Sequence, residues 1–543
     1  MKYRISSVMA ISIAIALTGC KSASNDNNDS NTLPVMPDGR WTFGDMHVHS
    51  TASDGHNIIT GVLDRGFERY GGDFIVTTDH SGFNAYEIND ALTRLAVSGE
   101  EILNPTPNEE LHSHDYAKEY YEDDKVGGHR RHNISMVYEK IVEYREKLPE
   151  GKYLFKGMEW TIPYTDEHAT LFILDQDGNV DMLADFHDEY AKGGGNSKEL
   201  EHSLNAVREL EEHDNAVFAF NHPSRKHKVT IGDIRHFHNA APNAMIGMEG
   251  APGHQRNPWA RGSYAEIEPI VIPEYEDEYG IAYNGQTYGG FDYMTTRIGG
   301  VWDALLSEGR QFSVLSQSDF HSFIKDFWPN QYSKTHVYLQ EESGEGLVDA
   351  LKSGTMYVTH GDIISNLHFA ATGAGNTAWM GNTLSVDAGT DVELTIRFDI
   401  PELNHSGQEP DVAFVDVIGG EVTGYVNEQD PDFEKPFTDT TRILKSFEKG
   451  DAVWNKEGRT VTLRMTLDSV ESDMYVRLRG SNNEKGTPGY VDDQGNPVLD
   501  LEKFDDQGNP IANANMQARF SSPEELAWSD LWFYANPIYI QVK

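Results

Sequence analysis

His47 and His49 are separated by one residue in the segment Asp45 to Gly55, which we predict to run from a short strand into a polar turn. Side chains alternate along a strand, so these two imidazoles point to one face and can bind one metal ion together. The turn can bring the carboxylate of Asp54 over the same face. Buried histidines are often merely hydrogen-bonded, so the pair becomes significant only through other residues of the same kind.

Polar clusters of this kind occur at five further places, each beside a predicted strand. Together with the first segment they supply nine candidate metal ligands: His47, His49, Asp54, His80, Glu159, His168, His222, Asp319 and His321. All of them offer nitrogen or carboxylate oxygen, and none offers sulfur. Such a set suits zinc, manganese or iron at a hydrolytic site and disfavours a closed structural cysteine site.

Short apolar runs alternate with helical patterns between Trp41 and about Asp362. The predicted strands are 74–78, 153–158, 169–174, 216–220, 244–248 and 312–316, and the predicted helices are 58–70, 134–148, 198–213 and 301–308. Strand followed by helix, repeated, is typical of an α/β fold with a parallel sheet or barrel. The active site of an α/β barrel lies at the carboxyl ends of its strands, so we expect the polar clusters to converge there.

Two polar stretches, 81–131 and 254–290, interrupt this alternation of strands and helices and are predicted to be insertions over the barrel mouth.

Beyond Asp362 apolar residues alternate with polar ones, as in 391–400. This pattern predicts a C-terminal β-rich domain, 363–543, most simply an antiparallel β-sandwich.

Composition excludes some partners. The chain of 543 residues is long enough for two or three domains. Its 44 basic and 87 acidic residues give a formal net charge of −43, which argues against binding nucleic acid or an anionic membrane by general electrostatics. An anionic substrate would need a concentrated local positive charge, such as a metal cluster.

The amino terminus is typical of an exported protein. Residues 1–19 combine a basic start with an apolar run too short to span a bilayer, which predicts a signal peptide. Leu17 to Cys20 resembles a bacterial lipobox, so we expect a lipid on Cys20, the sole cysteine, with an ordinary signal peptide as the alternative. Residues 20–40 are predicted to be a flexible tether. Lys21 favours anchoring at the periplasmic face of the outer membrane.

The order of the clusters resembles the PHP (polymerase and histidinol phosphatase) family of metallohydrolases. The matching motifs are HxHxxxSDG at 47–55, TDH at 78–80, GxE at 157–159, HxxL at 168–171, HP at 222–223 and SDxH at 318–321. They cover roughly residues 43–362. The resemblance implies a distorted (βα)7 barrel in residues 41–362, with up to three metals at the carboxyl ends of its strands.

The resemblance also implies how the ligands are divided. One metal would take His47, His49, Glu159 and Asp319. A second would share Glu159 and add His168 and His222. A third would take His80, His321 and a residue of the first loop, for which Asp54 is preferred and His56 is the alternative.

Charge then indicates the chemistry. Three divalent ions offset by Asp54, Glu159 and Asp319 leave an excess of about three positive charges, which suits a phosphate ester. We expect a metal-bound hydroxide to attack phosphorus, without a serine or cysteine nucleophile. Asp79 is a candidate orienting residue, unless it only caps a loop, and Arg225 is a candidate phosphate-binding residue, unless it is only solvated.

These observations predict an exported, lipid-anchored phosphoesterase that uses two or three divalent ions (zinc, manganese or iron). A small phosphate ester is the expected substrate. A hydrolase of carboxylic esters or carbamates is the alternative within the same chemistry. A non-catalytic binding module on the same scaffold is the alternative outside it. Glu249, which closes its own predicted strand, either faces the site or serves a structural hydrogen bond.

Overall fold

The computed structural model describes residues 34–50, 52–55, 57–80, 130–174, 179–191, 197–225, 228–256, 287–323, 326–504, 510–512 and 523–543. The predicted signal peptide, Cys20, the tether up to residue 33, His56 and most of both predicted insertions lie outside the described residues. Within the described ranges, no helix has the length and apolar character needed to cross a membrane.

The strands of the first half are β1 (Arg40–Asp45), β2 (Phe74–Thr77), β3 (Tyr153–Thr161), β4 (His168–Ile173), β5 (Ala216–Phe220), β6 (Met245–Ala251), β7 (Thr287–Tyr288), β8 (Phe291–Asp292), β9 (Ser313–Ser316), β10 (Ser333–Leu339) and β11 (Met356–His360). Those of the second half are β12 (Ser365–Gly373), β13 (Asn376–Trp379), β14 (Thr383–Val386), β15 (Thr390–Asp399), β16 (Phe414–Glu421), β17 (Arg442–Glu448), β18 (Asn455–Glu457), β19 (Thr460–Val470), β20 (Met474–Ser481), β21 (Leu501–Phe504), β22 (Pro510–Ala512) and β23 (Trp532–Val542).

The helices are α1 (Ile59–Leu63), which continues as a π-helical turn (Asp64–Arg69), α2 (Arg130–Arg145), α3 (Asn179–Tyr190), α4 (Leu200–Glu211), α5 (Ile231–Ala240), α6 (Tyr293–Thr296), α7 (Val301–Ser307), α8 (Gly344–Ser353) and α9 (Pro523–Ser529). A 3₁₀ turn covers Pro431–Glu434. The helices predicted at 198–213 and 301–308 therefore coincide with α4 and α7.

A mixed sheet of 14 strands replaces the predicted (βα)7 barrel, so that prediction is wrong. Its strand order is β17-β16-β20-β23-β11-β10-β1-β2-β3-β4-β5-β6-β9, with β14 beside β23. β4 runs antiparallel to both β3 and β5, whereas a barrel of βα units requires parallel neighbours. β1 pairs with β10, and β23 from the carboxyl terminus pairs with β11, so the sheet continues into the second half of the chain.

The predicted separate sandwich is wrong for the same reason, because strands β16, β17, β20 and β23 belong to the large sheet. The second layer is an antiparallel sheet of five strands, in the order β13-β12-β15-β19-β18. Alternate residues of β15, such as Leu394 and Ile396, share a buried core with Val417 and Phe533 of the large sheet. Residues 36–543 form one compact unit.

The part of the sheet that carries the candidate ligands is buried on both faces. In β5, Ala216, Phe218 and Phe220 pack into one core cluster, while Val217 and Ala219 pack into another on the opposite face. A strand covered on both sides needs a continuous apolar run, which is the pattern seen in the sequence.

Curling of the sheet brings segments that follow β1 and β9 together. Val48 and Phe320 form an isolated parallel bridge. The backbone N–H of His49 donates to the carbonyl of Phe320 at 2.9 Å, and the N–H of Phe320 donates to the carbonyl of His47 at 3.3 Å. The two segments richest in candidate ligands therefore lie side by side.

Candidate metal centre

Backbone anchoring fixes the first two histidines. Asp45, at the end of β1, is buried and accepts a hydrogen bond from the His47 N–H at 3.0 Å. The other oxygen of Asp45 accepts from the Ser318 N–H at 3.1 Å, which ties the segments after β1 and β9 together. The side chains of His47 and His49 are fully buried.

Glu159 in β3 is the centre of the cluster. Its two carboxylate oxygens lie 2.9–3.3 Å from nitrogens of five histidines: His47, His49, His80, His168 and His222. Asn221 also donates to Glu159 Oε1, at 2.9 Å. An ionised carboxylate offers about four lone-pair positions, so hydrogen bonding to the carboxylate alone does not satisfy all these groups. Such a group of nitrogen and carboxylate atoms could hold a metal ion.

His168 enters the cluster from the amino end of its strand, whereas the ligands were predicted to lie at carboxyl ends. It is the first residue of β4, which runs antiparallel to β3, and it pairs with Thr161 at the end of β3. The reversal puts the amino end of β4 beside the carboxyl end of β3. One edge of the mixed sheet therefore collects ligands from strands of both directions.

His222 follows β5 with a φ of 28°, in the left-handed region that non-glycine residues rarely adopt. Its backbone N–H donates to Glu249 Oε2 at 2.6 Å, and its Nε2 lies 3.2 Å from Glu159 Oε1. Glu249 Oε1 lies 2.5 Å from His47 Nδ1. Glu249 therefore faces the cluster and holds two of its histidines.

Asp319 and His321 come from the segment after β9. Asp319 Oδ1 lies 3.0 Å from His47 Nε2 and 3.3 Å from His49 Nε2. His321 Nε2 lies 3.3 Å from Asp54 Oδ1, and the other oxygen of Asp54 lies 3.6 Å from His80 Nε2. Asp54 Oδ1 also lies 3.6 Å from His49 Nδ1, so the turn brings this carboxylate beside one of the two histidines of the first segment.

All nine candidate ligands fall into groups that could hold a metal ion, with the ligand atoms of each group within 4.8 Å of one another. The groups are His47, His49 and Asp319; His49, Asp54, His80 and His321; His47, Glu159 and His222; His80, Glu159 and His168; and His254, Asp319 and His321. The first two resemble the expected first and third sets. The expected second set is divided, because His168 and His222 each join Glu159 in a different group.

The charges of the cluster call for cations. Burial raises the pKa of Glu159, but interactions with the surrounding imidazoles, of His168 first and then of His47 and His80, outweigh burial and leave that pKa well below its usual range. The pKa of Asp319 is likewise well below its usual range, because His47 and His254 outweigh its burial. Two buried, ionised carboxylates require positive charge beside them, from protonated imidazoles or from metal ions.

The histidines differ among themselves. Burial lowers the pKa of His49, but Asp319 and Glu159 outweigh it and raise that pKa to about 10. Burial dominates at His80 and lowers its pKa to about 3, despite Glu159 and Asp54. His49 Nε2 and Asp319 Oδ1 are buried and 3.3 Å apart, yet no hydrogen bond within the described part of the chain reaches either atom. These two ligand atoms converge on a shared position, as a metal site requires.

Asp79 supports a loop. Its carboxylate accepts from the Ser50 N–H at 2.7 Å and from the hydroxyls of Ser50 and Ser53 at 3.0 and 2.8 Å. The Ser53 hydroxyl is also 3.4 Å from His49 Nδ1. Asp79 therefore fixes the loop that presents His49 and Asp54, and its contacts are those of a loop cap next to the ligands.

Arg225 lies at the edge of the cluster. Its Nη2 is 3.3 Å from Glu167 Oε2 and 3.3 Å from His168 Nδ1, and the side chain is partly exposed. Glu167 in turn lies 3.6 Å from His222 Nδ1. The pair therefore places a guanidinium beside His168 and a carboxylate beside His222.

Three further residues of the site, His254, Asp326 and Glu167, were not predicted from the sequence. His254 Nε2 lies 3.0 Å from Asp319 Oδ2, and its Nδ1 lies 2.6 Å from Asp326 Oδ1. His254 follows the end of β6 by three residues, so the rule that polar residues after strands converge would have found it.

Comparison with protein-family models and with curated proteins gives no match to this chain. The chemistry of the site therefore rests on the geometry of its own residues.

Proposed function

We propose that this protein is a metal-dependent hydrolase whose substrates are phosphate esters. One observation supports the proposal most strongly. The buried Glu159 carboxylate lies 2.9–3.3 Å from nitrogens of five histidines, and Asp319 lies close to two of the same histidines. Nitrogen and carboxylate ligands in this number suit two or three divalent ions, such as zinc, manganese or iron.

The residues divide by position. His47, His49, Glu159 and Asp319 would hold one ion, and Glu159 with His168 and His222 would hold a second. Asp54, His80 and His321 would hold a third. Bound divalent ions would supply a strong nucleophile from water at neutral pH and neutralise an anionic substrate.

Charge favours an anionic substrate over a neutral one. The chain carries a formal net charge of −43, which repels anions at long range. A cluster filled with three divalent ions would reverse this sign locally, because about six positive charges would outweigh the four carboxylates of Asp54, Glu159, Asp319 and Glu249. Arg225 also lies beside His168, with Glu167 at 3.3 Å balancing its charge until a substrate phosphate competes for it. A phosphate ester is the common substrate chemistry that matches such a site.

The solvent exposure of the candidate ligands indicates the side from which a substrate would enter. His47, His49 and Glu159 are buried, whereas the side chains of Asp54, His254 and His321 are 34%, 26% and 20% exposed. The exposed members lie together, since His321 contacts both of the others. A substrate would therefore approach from this side, where its phosphate meets the outermost ligands first.

The order of ligands along the chain supports a place in the PHP family, and this resemblance does not depend on a closed barrel. The lipobox at Leu17 to Cys20 supports export and a lipid anchor, with the catalytic part outside the cytoplasm.

The test is a purified chain beginning after Cys20, analysed for bound metals and assayed against phosphomonoesters, phosphodiesters, carboxylic esters and carbamates. Two or three metals per chain with release of phosphate is the expected result. Metals with turnover of only carboxylic esters or carbamates would replace the phosphoesterase proposal. A chain that binds no metal after reconstitution would be a binding module instead.

A further inference from the structure

We propose that His254 is a metal ligand, and that with Asp319 and His321 it forms an outer cation position at the open side of the cluster. The inference rests on the metal dependence in the proposed function, but not on the identity of the substrate. The cation would be a divalent ion that accepts nitrogen and oxygen ligands, such as manganese or zinc.

The backbone is built to bring His254 against Asp319. The His254 N–H donates to the carbonyl of Ser318 at 3.2 Å. A Cβ atom at Gly253 would lie 2.2 Å from the Asp319 Cβ and 2.3 Å from the Ser318 carbonyl oxygen. Only glycine permits this approach.

His254 itself has a φ of 59°, and Asp319 has a φ of 45°. Both are non-glycine residues in the left-handed region, which costs free energy and persists only where the surroundings impose it. Strain at two facing residues of one cluster is typical of a functional site.

Asp326 fixes the orientation of the ring. Asp326 is fully buried, and its Oδ1 lies 2.6 Å from His254 Nδ1. Its Oδ2 accepts hydrogen bonds from the N–H groups of His321 and Ser322, at 2.7 and 2.8 Å. One carboxylate thus positions both histidines of the outer position. A carboxylate bound to one ring nitrogen, with the other nitrogen turned inward, is the usual support of a metal-bound histidine.

Asp319 is placed to bridge two positions. Its Oδ1 faces His47 and His49 at 3.0 and 3.3 Å, whereas its Oδ2 faces His254 at 3.0 Å. The ligand atoms of His254, Asp319 and His321 lie within 4.8 Å of one another, the same criterion that the inner groups meet. His321 also belongs to the group with Asp54 and His80, but its Nδ1–H donates to the Asp319 carbonyl at 2.9 Å, so its Nε2 can bind an ion at only one of the two positions. The outer position therefore adjoins the third position and lies nearest to solvent.

Solvent exposure predicts the affinity. An outer ion bound by His254 and Asp319, joined by His321 when that ring does not bind the third ion, keeps open positions for water or for a substrate oxygen, as catalytic metals do. We expect it to bind more weakly than the buried ions and to exchange with solvent.

The experiment is a titration of metal-free protein with manganese, in which the free ion is measured by electron paramagnetic resonance. His254→Ala, His254→Gln and Asp326→Asn are compared with the wild-type chain, and His213→Ala, in the turn after α4, is the matched control. Circular dichroism identifies variants that retain the fold. We expect the wild type to show a weaker site in addition to its tight sites. The His254 variants should lose that weaker site, Asp326→Asn should weaken it about 10- to 100-fold, and the tight sites should remain.

Other outcomes would overturn the inference. Binding curves of the His254 variants that match the wild type would show that His254 is not a ligand. A change confined to the tight sites would show that His254 only orients Asp319. Both results leave the proposed hydrolase standing, whereas a wild-type chain that binds no manganese or zinc at all would remove the proposed function as well.

Discussion

The carboxylate of Glu249 lies 2.5 Å from His47 Nδ1 and, through its other oxygen, 2.6 Å from the backbone N–H of His222. His47 Nε2 consequently points to Glu159 and Asp319, at 3.1 and 3.0 Å. Glu249 therefore selects which nitrogen of His47 faces the centre, and it positions a second histidine at the same time.

Replacing Glu249 by glutamine should weaken metal binding without unfolding the chain. The amide keeps the size of the side chain but loses the charge that makes His47 a better ligand. We expect metal affinity to fall about 10- to 100-fold, measured by competition with a chelator. Glu421→Gln, at an exposed position in β16, is the control and should bind like the wild type. Equal affinities in both variants would contradict the positioning role.

Removing a candidate metal ligand should lower activity more than the Glu249→Gln substitution does. His47→Ala and Asp319→Ala each delete a group that lies within 3.3 Å of two or more partners at the centre. We expect turnover to fall by more than about a hundredfold, with a folded chain. Initial rates at saturating metal test this, with circular dichroism on the same samples. Activity retained in both variants would show that the chemistry lies elsewhere.

Six strands of the first half, β2 to β6 and β9, were predictable from local sequence, whereas β10, β11 and the strand directions were not. The strand predicted at 216–220 coincides with β5, because an unbroken apolar run between polar turns has few alternatives. The barrel prediction fails between β3 and β4, because only six residues, 162–167, connect these two strands. A parallel crossover needs about a dozen residues, so this short connection was the available sign of an antiparallel pair. The pairing of β23 with β11 joins distant parts of the chain, and no local pattern reveals it.

The candidate ligands were predictable because each lies beside a strand, and strand ends meet at one edge of a sheet. That rule holds without a barrel, because His168 lies at the amino end of an antiparallel strand and its ring is still 2.9 Å from Glu159. Asp326 and Glu167 were not predictable, since each is a lone carboxylate in a loop without a motif. Their importance comes from contacts to histidines that only the folded chain brings near.

Metal removal should lower thermal stability. Ions that bind only the folded chain stabilise it by mass action, about 2.7 kcal/mol for one site at a hundredfold excess over its Kd. Without them, Glu159 and Asp319 depend on protonated histidines for compensating charge. We expect the melting temperature to drop by a few degrees on chelation and to recover when metal is restored. The melting temperature of Glu159→Gln should change much less on addition of the chelator. A wild-type melting temperature that the chelator does not change would contradict metal binding.

Acid should destabilise the fold through His238, which lies away from the metal centre. Its Nδ1 accepts from Arg310 at 3.0 Å, so the ring is neutral, and its Nε2–H faces the carbonyl of Gln311 at 3.2 Å. Burial, aided by Arg310, lowers the pKa of His238 to about 4. The other charged groups packed here pair among themselves, since Glu308 binds both Arg310 and Arg235.

Since the unfolded chain binds a proton at His238 with a pKa of about 6.5, it takes up more protons than the folded chain between pH 6.5 and 4. The contribution of His238 is therefore complete above pH 6.5 and is lost as the pH falls toward 4, up to about 3 kcal/mol. Urea unfolding at several pH values tests this. His238→Gln does not titrate, so its stability should fall less steeply with acid, and parallel pH profiles for the two chains would refute the assignment.

Asp79 offers a last test that separates positioning from catalysis. It binds no candidate ligand side chain directly, but it accepts three hydrogen bonds from Ser50 and Ser53, and Ser53 contacts His49. Asp79→Asn replaces an acceptor oxygen by a donor and should loosen the loop that carries Asp54. The third metal position, which needs Asp54 with His80 and His321, should lose affinity about 10- to 100-fold, and the first position should weaken through His49. The second position, which contains neither His49 nor Asp54, should change little. Metal content measured at limiting and at saturating metal distinguishes the two effects: turnover should recover in excess metal if Asp79 only positions the loop. Turnover that stays low at full metal content would instead make Asp79 a participant in the reaction.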